Sequence, residues 1–199
     1  MEALILASSS PRRQEILKML GIPFVVNPAD IVEKIPQDVD PKDAPEYLAC
    51  KKVEAVAQRI SSVQEDTGWI LGADTAIFFE DRLYGKPSNK EEAVEMIRLL
   101  QGHEHEVITG VALYNDNLHD ITTRRSVNRI SFAPMTETEI EWYVNTGEWH
   151  GAAGGYRIQG LASCFIKKIE GTVSSIMGLP IFELYDMLRE QGYSFITKA

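Results

Sequence analysis

The chain opens on Leu4-Ile5-Leu6-Ala7-Ser8-Ser9-Ser10-Pro11-Arg12-Arg13-Gln14, and this stretch limits the possible folds more than any other. Leu4–Ala7 is apolar, too short for a helix and bounded by hydroxyl residues, so it reads as a buried strand. Ser10 suits a helix N-cap and Pro11 suits the first helical position. A strand, a tight turn and a helix in eleven residues is the opening of an α/β unit. The helix then carries a contradiction. Arg12 and Arg13 sit in its first turn, where the helix dipole disfavours cations and unpaired N–H groups already point outward. Two arginines there make sense if an anion lies between them, so Ser8 to Arg13 read as a phosphate cradle.

The rest of the chain alternates strands and helices and then changes. Ile16, Leu17, Met19 and Leu20 form the first helix's apolar face, and Gly21 ends it; Phe24–Val26 is a short strand. Residues 28 to 43 hold Pro28, Pro36, Pro41 and several acids, and read as an irregular surface excursion. The periodicity predicts a helix from about Pro45 to Ile60, with Ala49, Val53, Val56 and Ile60 as its stripe. Trp69–Ala73 is a central strand, continued by Ile77–Phe79 after a bend. Ser88 and Glu91 fit a capping box for a helix ending near Leu100, and Thr136 and Glu139 fit another for a helix ending at Gly147. Val107–Tyr114 and Leu118–Phe132 are strands joined by an Asn115-Asp116-Asn117 turn. Residues 151 to 160 contain Gly151, Gly154, Gly155 and Gly160 and form a backbone-led loop. Cys164–Glu170 is a strand, and a last amphipathic helix carries Phe182, Leu184, Tyr185 and Leu188. No repeat or linker interrupts the 199 residues, so residues 1–199 are expected to form one domain, an α/β fold with a mixed sheet.

A net charge of −9 argues against nonspecific nucleic-acid or anionic-membrane binding, and makes Arg12-Arg13 a cluster placed against the global field. No apolar run reaches membrane-spanning length, and the N-terminus lacks a secretory pattern, so a cytoplasmic location is expected. Cys50 and Cys164 read as two reduced, buried thiols.

Asp74 is the second anchor. It ends the apolar run Ile70-Leu71-Gly72-Ala73, where a charge is costly unless it faces a cleft, a partner or a metal. An aspartate starting a turn is the plain alternative, but apolar residues on both sides supply no turn signal. Glu33, by itself, is one of several solvated acids beside Asp30 and Asp38. Lys52 lies between Leu48 and Val56 at helical spacing, on the buried edge, as a snorkelling lysine would. Lys86, held between Gly85 and Pro87, suits an aimed charge. With Arg12 and Arg13, these lysines would supply enough cations for a triphosphate. His103 and His105 alternate, but flanking glutamates make them a solvated strand start rather than a metal pair. Gly85-Lys86-Pro87 is not a P-loop, and Gly151–Gly160 is not a dinucleotide fingerprint.

Ala7-Ser8-Ser9-Ser10-Pro11-Arg12-Arg13 followed by Glu15 resembles the opening signature of the Maf family of nucleoside triphosphate pyrophosphatases. Gly72-Ala73-Asp74-Thr75 resembles its second motif. Gly85-Lys86-Pro87, Val107–Gly110, Tyr156–Gly160 and Gly178-Leu179-Pro180 match in order and spacing. The resemblance implies a mixed sheet flanked by helices, in two lobes with a central cleft, as in inosine triphosphate pyrophosphatase. It implies hydrolysis of a nucleoside triphosphate to monophosphate and pyrophosphate with a divalent metal, Mg2+ or Mn2+, held by Asp74 and Glu33, and a homodimer. Asp74 matches the family's proton acceptor, Glu33 an acid of the site, and Ser8, Ser10, Arg13, Lys52 and Lys86 the polar residues around the phosphates. Arg12, Thr75 and Gln159 match the set that marks the dTTP/UTP branch rather than the 7-methyl-GTP branch. An amide at Gln159 offers a donor and an acceptor, as the imide edge of uracil or thymine does. The chain departs from the family run at Ala152, where many members have lysine, and at Arg157, where they have glycine; Arg157 either recovers the charge or alters the nucleotide preference. A nucleotide-binding regulator of cell division and a nucleotidase releasing orthophosphate are the rival readings.

Overall fold

The structure is a computed structural model and describes residues 1–61 and 68–194. The first strand, β1 (Leu4–Leu6), is followed by α1 (Pro11–Met19), β2 (Phe24–Val26) and α2 (Ala44–Ser61). Then come β3 (Trp69–Phe79), β4 (Arg82–Tyr84), α3 (Lys90–Leu100), β5 (Glu104–Asn115) and β6 (Asp120–Phe132). The chain ends through α4 (Glu137–Asn145), β7 (Ile166–Glu170), the single turn α5 (Val173–Ile176) and α6 (Ile181–Glu190). The strands form one seven-stranded sheet in the order β2-β1-β3-β5-β6-β7, with β4 paired to β3. β1 runs parallel to both β2 and β3, while β4 and β7 are antiparallel to β3 and β6, so the sheet is mixed as expected.

Two compact units divide the chain, residues 1–74, 109–126 and 178–199 in the first and 75–108 and 127–177 in the second. The chain passes from one to the other inside β3, β5 and β6 and again after Met177. No linker composition marks these points, because three of them lie within continuous strands. Each unit has its own core. In the first, Ala49, Val53, Val56 and Ile60 of α2 pack with Ala7, Ile70 and Ala112. In the second, Ile97, Leu100, Ile130, Phe132, Ile140, Tyr143 and Tyr156 pack together.

The first unit depends on a close approach of helix and strand. A Cβ on Gly72 would lie 2.5 Å from the Ala49 carbonyl oxygen, and one on Gly110 would lie 2.3 Å from the Glu46 nitrogen. Neighbouring strands β3 and β5 thus each present a bare Cα to the α2 backbone. α1 ends as Gly21 suggested. At φ +67° Gly21 adopts the left-handed conformation, donates to Lys18 O, and lets Ile22 N reach Leu17 O, the Schellman closure.

Several local expectations shift. Trp69–Phe79 is one unbroken strand rather than two pieces about a bend. The cap of α3 is Asn89, whose side chain accepts from Glu92 N, while Glu92 accepts from Ser88 N. The motif is therefore one residue later than Ser88 and Glu91. The Thr136–Glu139 box forms as expected. Met19 and Phe182, expected on apolar faces, are each 70% exposed. Cys164 is exposed and Cys50 half-buried, so they are not two buried thiols; both are free. Burial, aided by Glu54, pushes the Cys50 thiol up to about 11, which keeps it in the protonated form at neutral pH. Among the described residues no helix is long and apolar enough to cross a membrane.

His105 corrects the reading of a solvated histidine pair. His103 precedes β5, so strand alternation does not tie the two rings together. His105 is 2% exposed, its Nε2 lies 2.7 Å from Tyr156 Oη, and burial lowers its pKa to about 4. A folded-state pKa below the unfolded 6.5 means that the unfolded chain binds this proton first as pH falls. Stability is therefore expected to drop between pH 6.5 and 4, by about 3 kcal/mol from this group. Denaturant midpoints measured across that window should fall less steeply in His105→Gln than in the parent.

Candidate functional site

In the first unit the turn after β1 is built around Ser8. Ala7 N bonds to Leu71 O of β3 at 2.8 Å, which fixes the strand end. The buried Ser8 hydroxyl then accepts from Ser10 N at 3.2 Å and from Arg13 Nη1 at 2.8 Å. Ser10 occupies the N-cap position but makes no side-chain cap bond, contrary to expectation. The Ser8 hydroxyl satisfies the turn from two residues upstream instead.

Arg13 turns inward from α1 and is 8% exposed. Its Nε donates to the Gly178 carbonyl at 2.8 Å, so two donors of the guanidinium fork hold backbone and hydroxyl groups from distant parts of the unit. Burial lowers its pKa, the negative charge of Asp74 opposes that, Arg12 adds to the lowering, and Glu33 also opposes it. The cation at the positive end of α1 therefore has anions of its own chain around it. Arg13→Lys keeps the charge but cannot reproduce a two-pronged fork. It is expected to lower stability by about 1–3 kcal/mol, read as a shift in the urea midpoint.

Lys52 is the hinge of the charged cluster. It lies on the buried side of α2, 8% exposed, as its spacing with Leu48 and Val56 suggested. Its Nζ is 2.5 Å from Asp74 Oδ1 and 2.7 Å from Glu33 Oε1. Asp74 is supplied by β3, Lys52 by α2 across the Gly72 contact, and Glu33 by the irregular segment between β2 and α2. Lys52 and Asp74 are the largely buried pair, and pairing them satisfies two charges that would each be costly alone, while Glu33, its side chain 53% exposed, reaches the same ammonium from the solvent side. Among the described residues no group of three or more His, Cys, Asp or Glu converges as a metal site. Glu33 and Asp74 instead present two carboxylate oxygens to one cation-sized point, which Lys52 holds.

Ser8, Arg13, Glu33, Lys52 and Asp74 are thus brought together in the first unit, to which Ser10 and Arg12 also belong. Thr75, Lys86 and Gln159 belong to the second. Lys86 is exposed in a turn whose Gly85 carbonyl accepts from Gly154 N at 2.9 Å. Thr75 is half-buried on β3, and Gln159 is exposed. Ala152 is buried, and the Arg157 guanidinium donates to the His150 carbonyl at 2.7 Å. Arg157 is therefore tied down locally rather than standing in as an exposed charge for the missing lysine. The Gly178 carbonyl under Arg13 and the His105–Tyr156 pair had no signal in the sequence.

A family model for Maf-like proteins matches residues 3–191. The dTTP/UTP pyrophosphatase of Desulforamulus reducens is 42% identical over 98% of this chain and 100% of that protein. The dTTP/UTP pyrophosphatase of Pelotomaculum thermopropionicum is 40% identical over 98% and 100%, and that of Symbiobacterium thermophilum 41% over 99% and 98%. Among solved structures, the Staphylococcus aureus Ham1 protein aligns over 66% of this chain and 72% of its own, at 13% identity and a TM-score of 0.47, too partial a likeness to carry an argument.

Proposed function

The chain belongs to the Maf-like family, and from that membership together with the Glu33–Lys52–Asp74 cluster we propose that it is a nucleoside triphosphate pyrophosphatase acting on dTTP and UTP. The observation that carries the reading is the buried lysine between two carboxylates beside the Ser8–Arg13 turn. An ion triad is a poor stability device, but it is a good way to hold a carboxylate in one orientation. The names of full-length relatives near 40% identity support the substrate.

Lys52 occupies Asp74 Oδ1, which leaves Oδ2 to orient a water and take its proton as the water attacks the α-phosphorus. The bond from that phosphorus to the β-phosphate oxygen breaks, and pyrophosphate leaves with the electron pair. Arg12, Lys86 and the Lys52 ammonium offset charge on the phosphate oxygens. Ser8 and Ser10 shape the turn that receives them, with Arg13 holding that turn. Thr75 and the Gln159 amide are the base-selecting groups, Gln159 matching an imide edge. Glu33 and Asp74 would hold Mg2+ or Mn2+ through carboxylate oxygens beside the Lys52 ammonium, not in its place. Bound there, the ion would neutralise phosphate charge and lower the pKa of a coordinated water. A homodimer remains part of the proposal.

The test is a panel of dTTP, UTP, CTP and 7-methyl-GTP, with and without added Mg2+ or Mn2+, assayed for pyrophosphate and orthophosphate separately. Pyrophosphate from dTTP and UTP, dependent on metal, is the expected result. Orthophosphate as the product would make the protein a nucleotidase, and tight binding without turnover would make it a regulator.

A further inference from the structure

The turn that carries Gln159 is anchored on both sides by residues that the proposed reaction does not use. Before Gln159, Tyr156 is 5% exposed with its hydroxyl on His105 Nε2, and Arg157 N donates to Tyr143 Oη at 3.3 Å. After Gln159, the Leu161 amide donates to both oxygens of Glu148, at 3.0 and 2.9 Å. Gly160 N closes the turn on Arg157 O at 3.2 Å. Gln159 alone stands exposed between these anchors.

Glu148 is itself fixed. It follows the end of α4, and its N donates to Thr146 Oγ1 at 3.2 Å. Its carboxylate packs so tightly on the turn that a Cβ on Gly160 would lie 2.3 Å from Glu148 Oε2. Glycine at 160 thus makes room for the carboxylate, and the carboxylate holds the two residues after Gln159. A charge-assisted bond to a backbone amide is stronger than the neutral bonds that usually hold turns.

We propose that Glu148 is a positioning residue for base selection, fixing the backbone from which the Gln159 amide is presented. The inference rests on the reading that Gln159 faces the base. An amide turned by 180° would match the cytosine edge as well as it matches the imide of uracil. Preference for UTP over CTP therefore depends on the amide being held, not merely on its presence.

Steady-state kinetics with UTP and CTP, alongside melting temperatures, test this in Glu148→Ala, Glu148→Gln and Gln159→Ala. Glu148→Ala is expected to lower the UTP-over-CTP ratio of kcat/KM by about tenfold or more, mainly through KM for UTP. Its kcat for UTP should stay within about threefold, since the phosphate-handling groups are untouched. Glu148→Gln keeps a carbonyl acceptor at the same reach and should restore most of the ratio. A purely structural role would lower the melting temperature and leave the ratio unchanged. An unchanged ratio in Glu148→Ala, with a collapsed one in Gln159→Ala, overturns the proposal alone. An unchanged ratio in Gln159→Ala overturns the base-reading assignment. Should Glu148→Ala not fold, Glu148→Asp, one methylene short of Leu161 N, carries the same expectation.

Discussion

Asp74→Asn is expected to lower kcat for UTP by about 10²–10⁴-fold, the usual contribution of a positioned general base, with KM changing far less. The amide keeps an acceptor for the Lys52 ammonium, now 2.5 Å from Asp74 Oδ1. Glu33 retains the other side of that ammonium, at 2.7 Å, so the cluster should persist and the fold with it. What the amide cannot do is accept a proton from water. The substitution also removes the charge that does most to oppose the desolvation of Arg13, so a modest loss of stability should accompany the loss of rate. Single-turnover rates, nucleotide affinity and a melting curve on the same preparation separate these effects. Full activity with nucleotide still bound would remove Asp74 from the role of base.

Gly72→Ala is expected to destabilise the first unit by about 1–3 kcal/mol through overpacking. The added methyl would stand 2.5 Å from the Ala49 carbonyl oxygen and 2.7 Å from Val53 Cγ2. A side-chain methyl can rotate away. The helix carbonyl cannot, so α2 must lift from β3. Lys52 lies less than one turn along from Ala49, and Asp74 lies two residues along from Gly72. The same movement therefore separates the Lys52–Asp74 pair, and activity should fall even in the folded fraction. Urea denaturation with kcat measured at saturating nucleotide reads both consequences. Gly85→Ala is the control for stability, because a Cβ there meets nothing within 4 Å. Equal midpoints for the two variants would show that helix and strand are not so tightly opposed.

These contacts explain which parts of the site could be read early. Lys52 was legible as a lysine on a buried helix edge because its neighbours four residues away are apolar, and helical spacing puts them on one face. Asp74 was legible because it interrupts an apolar strand. That the two meet was not, since nothing in 22 residues of separation states how α2 lies on β3. Glu33 had no signal of its own. It sits in a segment without periodicity, where no pattern distinguishes the acid that reaches Lys52 from Asp30 or Asp38. The histidine pair misled because period-two alternation holds only inside a strand, and His103 lies before β5.

The opening stretch shows the same division. Composition and spacing alone determined a strand, a hydroxyl turn, a helix starting at Pro11 and a cation where the helix dipole disfavours one. Each follows from interactions between residues a few positions apart, which act the same way wherever the segment lies. The tertiary structure decided how the contradiction is resolved. Arg13 bonds Gly178, 165 residues away, and has Asp74 and Glu33 in its surroundings. It also moved the turn's hydroxyl contact from Ser10 to Ser8. Those outcomes depend on contacts between segments far apart in sequence, and packing over that distance is set by the whole folded unit rather than by any local pattern.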